Sequence, residues 1–382
     1  LSPSDKTMVR VILKAVAMGL VGAAALADPV AVAPFAWPMP AWMVPPHVPD
    51  DNPMSAAKVD LGRHLFHDAR LSRDSTVACA SCHVQALGFA DGRPRGLGIN
   101  DTPSTLNVPG LANVGYLPAL TWANPHMDSL EFQALVPLFG ETPEEMGGAG
   151  QEVAIFARLA ADPWYRTAFA AAFPDRPAPD LFTITRALAA YQRSLIAVNA
   201  PYDRYKYRGE VDALSAAAKR GEQLFFDHRF ECYHCHSGIH FTNNLRTARQ
   251  PQGEVGFHNT GLYESYPATA PGLIELTGRP EDAGRFRTPS LRNVAVTAPY
   301  MHDGSIPDLR GVIAHYAGGG RAPGHPQKDG MIVGFTPTEA EIDDLIAFLE
   351  SLTDRDFLTD PRHADPWPPG HPAVATRRMP AP

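Results

Sequence analysis

The chain has 382 residues, 45% hydrophobic and 19% charged, with 38 prolines and 31 glycines. That is enough apolar material for a core, which excludes disorder throughout; the formal net charge of −8 argues against a nucleic-acid partner, which needs a basic face. Only four cysteines are present, which excludes a disulfide-dense scaffold.

The segment from Met8 to Ala27 opens with Arg10 and Lys14, continues with an apolar run from Ala15 to Leu26, and ends in Ala25-Leu26-Ala27. A basic start, a short apolar stretch and small residues at the end read as a cleavable signal peptide, with residues 1–7 upstream of it. Removing residues 1–27 takes away Lys6, Arg10, Lys14 and Asp5, a net +2, and leaves −10. No other segment is apolar enough to span a bilayer. The expectation is a periplasmic protein with no membrane span in its mature chain.

Residues 28–55 are proline-rich (Pro29, Pro34, Pro38, Pro40, Pro45, Pro46, Pro49, Pro53) and read as an extended leader. An internal repeat follows. Its first copy is Gly62-x-x-Leu65-Phe66-x-Asp68-x-Arg70, then Cys79-x-x-Cys82-His83, then Phe89; its second is Gly221-x-x-Leu224-Phe225-x-Asp227-x-Arg229, then Cys232-x-x-Cys235-His236, then Phe241. Two copies imply two equivalent units. Apolar spacing predicts helices over 57–66, 151–161, 163–173, 183–198 and 213–226. Residues 199–209, with Pro201 and Gly209, read as a linker. Thr336-Pro337-Thr338-Glu339 reads as a helix start, with the helix running through Leu352. Residues 357–382 read as a proline-rich surface tail. Stretches 84–130 and 237–310 lack periodicity and read as ordered loops wrapped around a cofactor.

The cysteines say which cofactor. All four fall in two Cys-x-x-Cys-His motifs. In an exported chain this pattern attaches haem c: both thiols add to vinyl groups and the histidine ligates iron. Cys79, Cys82 and His83 would hold one haem; Cys232, Cys235 and His236 would hold the other.

The chain resembles the bacterial di-haem cytochrome c peroxidase and MauG family over residues 55–355. The resemblance rests on Leu-Phe-x-Asp-x-Arg-Leu-Ser (65–72), Thr-Pro-Ser-Thr-Leu-Asn (102–107), Pro-x-Glu-Met (143–146), Thr-Pro-Ser-Leu-Arg-Asn-Val (288–294) and Thr-Ala-Pro-Tyr-Met-His-Asp-Gly (297–304). It implies a mainly α fold of two cytochrome-c-like helical domains, 56–209 and 210–356, each with one covalently bound haem c, and one Ca2+ between them. The first haem would react with peroxide. The loop that blocks its iron in some relatives matches 84–100, which holds no histidine; Arg93 falls near that place. The first iron is therefore expected to be open, the alternative being a cap by His126 or Met127.

The family's peroxide-cleaving Glu and Gln match Glu145 and Gln133, with Glu144 adjacent. Its inter-haem tryptophan matches Trp122. Met301, His315 and Tyr316 are candidates for the second iron's other ligand; the family spacing of nineteen residues from Thr297 selects Tyr316. Calcium would fall to Asp101, Thr297 and Pro299, with Asn100 as the neighbouring alternative. His302 would lie near a haem propionate or serve as a structural histidine.

A tyrosine ligand points to the MauG-like branch, which includes the methanobactin-associated (MbnH) type. Hydrogen peroxide would then carry both irons to Fe(IV), and a Trp or Tyr of a periplasmic partner protein would be oxidised by long-range electron transfer, to a kynurenine or quinone-type product. MauG's tryptophan two residues before the second cysteine motif is Phe230 here, which points to another partner or exit path. The alternative is a peroxidase that reduces hydrogen peroxide to water with electrons from a small cytochrome or cupredoxin. A plain di-haem electron carrier would leave Gln133 and Glu145 without a role.

Overall fold

The computed structural model describes residues 35–380. The expected signal peptide and the first part of the leader lie outside them. Helices occupy Ala56–Phe66 (α1), Cys79–Cys82 (α2), Leu130–Gln133 (α3), Leu135–Phe139 (α4), Glu152–Ala161 (α5), Pro163–Ala172 (α6), Leu181–Arg193 (α7) and Pro201–Arg208 (α8). They continue through Ala216–Phe225 (α9), Ile274–Thr277 (α10), Leu309–Ala317 (α11), Glu339–Glu350 (α12) and Arg355–Thr359 (α13). The long loops carry two small antiparallel pairs: Leu245–Thr247 (β1) with Gln250–Glu254 (β2), and Phe257–His258 (β3) with Phe286–Arg287 (β4).

The repeated glycine explains the architecture. A Cβ on Gly62 would lie 2.0 Å from the Ala187 carbonyl oxygen on α7, and one on Gly221 would lie 1.9 Å from the Asp344 carbonyl oxygen on α12. So α1 crosses α7, and α9 crosses α12, with backbone against backbone. The aromatics that follow repeat the same geometry. Phe66 meets Tyr191 at 5.1 Å and Phe89 at 6.0 Å; Phe225 meets Phe348 at 5.1 Å and Phe241 at 6.0 Å. Two separate hydrophobic cores form around these crossings.

A second repeated device locks each crossing to its loop. Asn113 and Asn293 both adopt left-handed backbone, φ 61° and 58°. Their N–H groups donate to Leu195 O (2.8 Å) and Leu352 O (3.1 Å), just past α7 and α12. Their side-chain oxygens accept from Ala197 N (2.9 Å) and Asp354 N (2.8 Å).

Several expectations are corrected. Residues 199–209 are not a linker but helix α8: Pro201 sits in its first turn and Gly209 ends it at φ 72°. Proline at the start and left-handed glycine at the end are helix punctuation as well as loop signals. The last long helix begins two residues later than the Pro337 reading, because Thr338 is the cap and Glu341 closes the box. Helix α9 starts after the Ser215 cap, not at Ala213, and α7 ends at Arg193, not Val198. The leader does not stay apart, since Met43 packs with Tyr116, Ile196 and Val198.

The tail is the largest correction. Residues 357–380 return to the first crossing rather than trailing over the surface. Trp367 is buried, donates its indole N–H to His64 O (3.0 Å), and packs on Trp164 and Tyr165 at 5.4 and 5.7 Å. Ala69 N donates to Ala373 O (2.9 Å) and Arg378 N to Thr76 O (2.8 Å). Proline-rich composition hid a buried tryptophan. Trp367→Ala is expected to cost about 3–5 kcal/mol, the range for removing a large buried aromatic, measured as a lower thermal midpoint of the holoprotein.

Candidate functional site

The two Cys-x-x-Cys-His motifs fold alike. Cys79–Cys82 form a single α-turn and Cys232–His234 a single 3-10 turn, so each pair of thiols lies on one side of a tight loop. His83 Nδ1 is 2.6 Å from Phe89 O and His236 Nδ1 is 3.0 Å from Phe241 O. A carbonyl at Nδ1 fixes the proton there and leaves Nε2 as a free lone pair, the tautomer a metal-ligating imidazole needs. Burial holds both histidines down to about 4, so both are neutral at physiological pH. Burial also pushes the thiols of Cys79, Cys82 and Cys232 up to about 12.

The second motif opens onto a cavity of about 280 Å³. Its wall includes Cys232, Cys235, His236, Trp122, Met301 and Tyr316. Tyr316 projects from α11 into it. Burial, reinforced by the sulfurs of Cys235 and Cys232, pushes the phenol well above its ordinary range. His315, one residue earlier, is excluded as a ligand by direction: its Nε2 meets Thr260 O at 3.1 Å and it does not line the cavity. Met301 stays in the wall. It sits at φ 73°, in the left-handed region.

Trp122 is buried, with its indole N–H donating to Asn107 O at 2.8 Å. Its carbonyl accepts from Arg287 N at 2.7 Å, and the Arg287 guanidinium lies 5.8 Å from its ring. His302 is buried in the same wall, stacked on Phe286 at 3.6 Å, and burial holds it down to about 4. Phe230 also faces the cavity and packs on Phe335 at 4.6 Å.

Around the first motif, the two adjacent glutamates separate. Glu144 turns outward onto Arg73, 2.6 Å away. Glu145 turns inward, carries no ion pair among the described residues, and lies close enough to the Cys79 and Cys82 thiols to raise both. Burial raises its own carboxyl above the ordinary range. Gln133 is half-buried at the end of α3. His126 is exposed and Met127 packs in the first core, so neither is poised over an iron. Arg93 is half-buried, with its carbonyl taken by the Asn107 amide.

The calcium set is not assembled as expected. Asn100 and Asp101 both have left-handed φ, 56° and 55°, which turns them to solvent, and Asp101 pairs with Arg378 of the tail at 2.5 Å. Thr297 and Pro299 instead share the second cavity's wall with Asn107. Asn107 is buried, donates its amide to Arg93 O at 2.9 Å, and accepts no hydrogen bond at its side-chain oxygen among the described residues. It closes the Thr-Pro-Ser-Thr-Leu-Asn stretch, the signal that could have found it where the sequence reading chose Asp101.

Arg287 was also missed. It is buried in the cavity wall with no carboxylate partner among the described residues, and burial alone brings it down to about 10. A buried guanidinium without a counter-ion needs an anion from outside the protein; a haem propionate would supply one. Its position just before Thr-Pro-Ser-Leu was the available signal. His258 completes the wall, 2.6 Å from Asp329 at Nδ1 and 2.9 Å from the Asn243 amide at Nε2. The Asp329 carboxylate pushes His258 up to about 9.

Comparison with known proteins agrees with this geometry. Residues 56–212 match the di-haem cytochrome c peroxidase family. The cytochrome-c peroxidase IdrP1 of Denitromonas iodatirespirans is 36% identical, over 85% of this chain and 88% of its own length. The methylamine utilization protein MauG of Methylorubrum extorquens is 37% identical, over 80% of this chain and 81% of its own. Among solved structures, a MauG-like protein associated with microbial copper homeostasis is 43% identical, with a TM-score of 0.84, covering 87% of this chain and all of that one. No helix among the described residues is long and apolar enough to cross a membrane. With paired haem-attachment motifs, a ligand-sized cavity and relatives matched along most of their length, the chain belongs to the di-haem cytochrome c peroxidase family of haem oxidoreductases.

Proposed function

We propose that the chain is a MauG-like oxidase that uses hydrogen peroxide to oxidise a tryptophan or tyrosine of a partner protein at a distance. The observation that carries this reading is Tyr316 facing the second cavity with His236 while His315 is tied away on Thr260. A buried phenol this hard to ionise becomes a phenolate beside a cation, and a ferric haem iron held by His236 and Tyr316 would be that cation. A phenolate ligand favours the oxidised metal, which suits drawing electrons out of a protein more than accepting them from a small carrier. The 43% identity to the MauG-like protein supports the same branch.

The haems, covalently held in two cytochrome-c-like domains (56–209 and 210–356), would supply iron redox chemistry; each peroxide takes up two electrons and two protons and leaves as two waters. The protein's part at the first site is proton handling. Glu145, unpaired and raised by burial, takes a proton from peroxide and returns it to the leaving oxygen, with Gln133 orienting the substrate. Trp122, its N–H fixed on Asn107, passes charge toward the second site. Arg287 would neutralise a propionate there. A calcium ion fits the oxygen set of Asn107 with the Thr297 and Pro299 carbonyls better than it fits Asp101. The attachment chemistry and the N-terminal motif support a periplasmic location.

Because Glu145 acts as a base, its charged form must be present. Its raised pKa places the acid limb of peroxide reactivity above the ordinary carboxylate range, with the rate rising as pH rises through that limb. Glu145→Gln is expected to abolish the limb and slow the reaction about 10²–10⁴-fold, measured by stopped-flow mixing with peroxide.

Met301 in the same wall favours the second reading, a peroxidase fed by a small electron donor. Near-infrared spectroscopy of the ferric holoprotein separates the two. Absence of a methionine–iron charge-transfer band supports Tyr316 ligation and protein oxidation. Its presence assigns Met301 and peroxide scavenging.

A further inference from the structure

At the edge of the second cavity, whose wall includes Glu231, the loop leading into the second cysteine motif gathers three metal-ligating side chains that the haem chemistry does not use. His228, Glu231 and His234 are spaced three apart, and one ligand atom from each lies within 4.8 Å of the others. We propose that they form a peripheral site for a divalent transition-metal ion of the zinc and copper class.

The backbone builds the cluster. Glu231 sits at φ 57°, a left-handed conformation rare for a glutamate, and it caps the turn Cys232–His234. That conformation lets residues on both sides of Glu231 converge on its carboxylate. His228 Nδ1 lies 3.8 Å from Glu231 Oε1, and His234 Nε2 approaches Oε2. Glu231 Oε2 is buried and its one close neighbour in the cluster is His234 Nε2, so the carboxylate is already turned toward an imidazole. In a tetrahedral site with bonds of about 2.0–2.1 Å, ligand atoms stand roughly 3.3 Å apart. The three groups are within a small side-chain adjustment of that spacing.

The donor set fixes the class of ion. Two imidazoles and one carboxylate are borderline ligands that suit zinc and copper(II); calcium and magnesium take oxygen sets. The Tyr233 hydroxyl, 2.9 Å from His228 Nδ1, and solvent are available for the remaining position. The site is open to solvent: His228 is almost wholly exposed and His234 partly so. Its ligands differ from those assigned to either haem, so the inference does not depend on the proposed oxidase activity.

Zinc is the probe of choice, because it is redox-inert and leaves the haem spectrum readable. Tag-free, EDTA-treated holoprotein would be titrated with zinc chloride by calorimetry and equilibrium dialysis. The expected result is one zinc per chain, weakened tenfold or more in both His228→Ala and Glu231→Gln. His228→Ala is the deciding variant, since residue 228 lies outside the Cys-x-x-Cys-His motif, and its haem spectrum checks that both haems are still attached. Wild-type protein that takes up no zinc, or a His228→Ala variant that binds zinc as tightly as wild type, would overturn the site.

Discussion

Tyr316→Met is expected to convert the second haem from a tyrosinate to a thioether centre. The exchange removes a ligand that becomes an anion on binding and replaces it with a neutral one, so the ferric state loses its counter-charge. The reduction potential of that haem is expected to rise by on the order of 0.1–0.4 V, well inside the ~0.8 V range that axial ligands command. A methionine–iron band should appear in the near infrared. Peroxide-driven oxidation of a partner protein should fall sharply, while peroxide reduction with a small electron donor is retained. The cavity can accept the change, because methionine is smaller and more flexible than tyrosine and Met301 already lines the same wall. Spectroelectrochemistry of wild type and variant measures the shift. An unchanged potential would mean that Tyr316 is packing rather than ligation.

Gly221→Ala is expected to be among the most damaging single-methyl additions in the molecule. The added carbon would lie 1.9 Å from the Asp344 carbonyl oxygen and 2.8 Å from the Phe348 Cβ. Neither is the far end of a flexible side chain, so α9 and α12 must separate. Separation loosens Phe225, Phe241 and Phe348 together, and Phe241 supplies the carbonyl that orients His236. A cost above about 3 kcal/mol is expected, the upper end for overpacking, with poor haem attachment at the second motif only. Gly62→Ala should do the same at the first motif, through Ala187 and Tyr191. Measuring thermal midpoints and haem content per chain for the two variants tests both the magnitude and the locality.

Much of this molecule was legible because its chemistry is repeated. Cysteine spacing gave both attachment turns, and the recurring Gly-x-x-Leu-Phe predicted two equivalent units whose crossings the structure displays at Gly62 and Gly221. The family spacing from Thr297 already selected Tyr316 over His315, and the direction of the two side chains on α11 supports that choice. What was not legible depended on long-range packing. Asp101 looked like a calcium ligand beside Thr-Pro, but its backbone turns outward and the distant Arg378 engages it. Residues 199–209 held helix punctuation that reads equally as a linker. Nothing local marks Trp367 as core, since its partners Trp164 and Tyr165 are some two hundred positions away.

That closing tail has a consequence for the order of assembly. The first crossing is built from residues 56–193, yet Trp367 seals it and Ala373 and Arg378 stitch its edge. A chain emerging N-terminus first would therefore present the first attachment turn while its covering segment had still to arrive. Cys79 and Cys82 would then stay reachable for attachment until residues 367–378 had emerged. The second crossing, with α9 and α12 both formed before the tail appears, has no such wait. Residues 367–378 thus act as a late clasp, so their removal would be felt at the first attachment turn, some three hundred positions earlier.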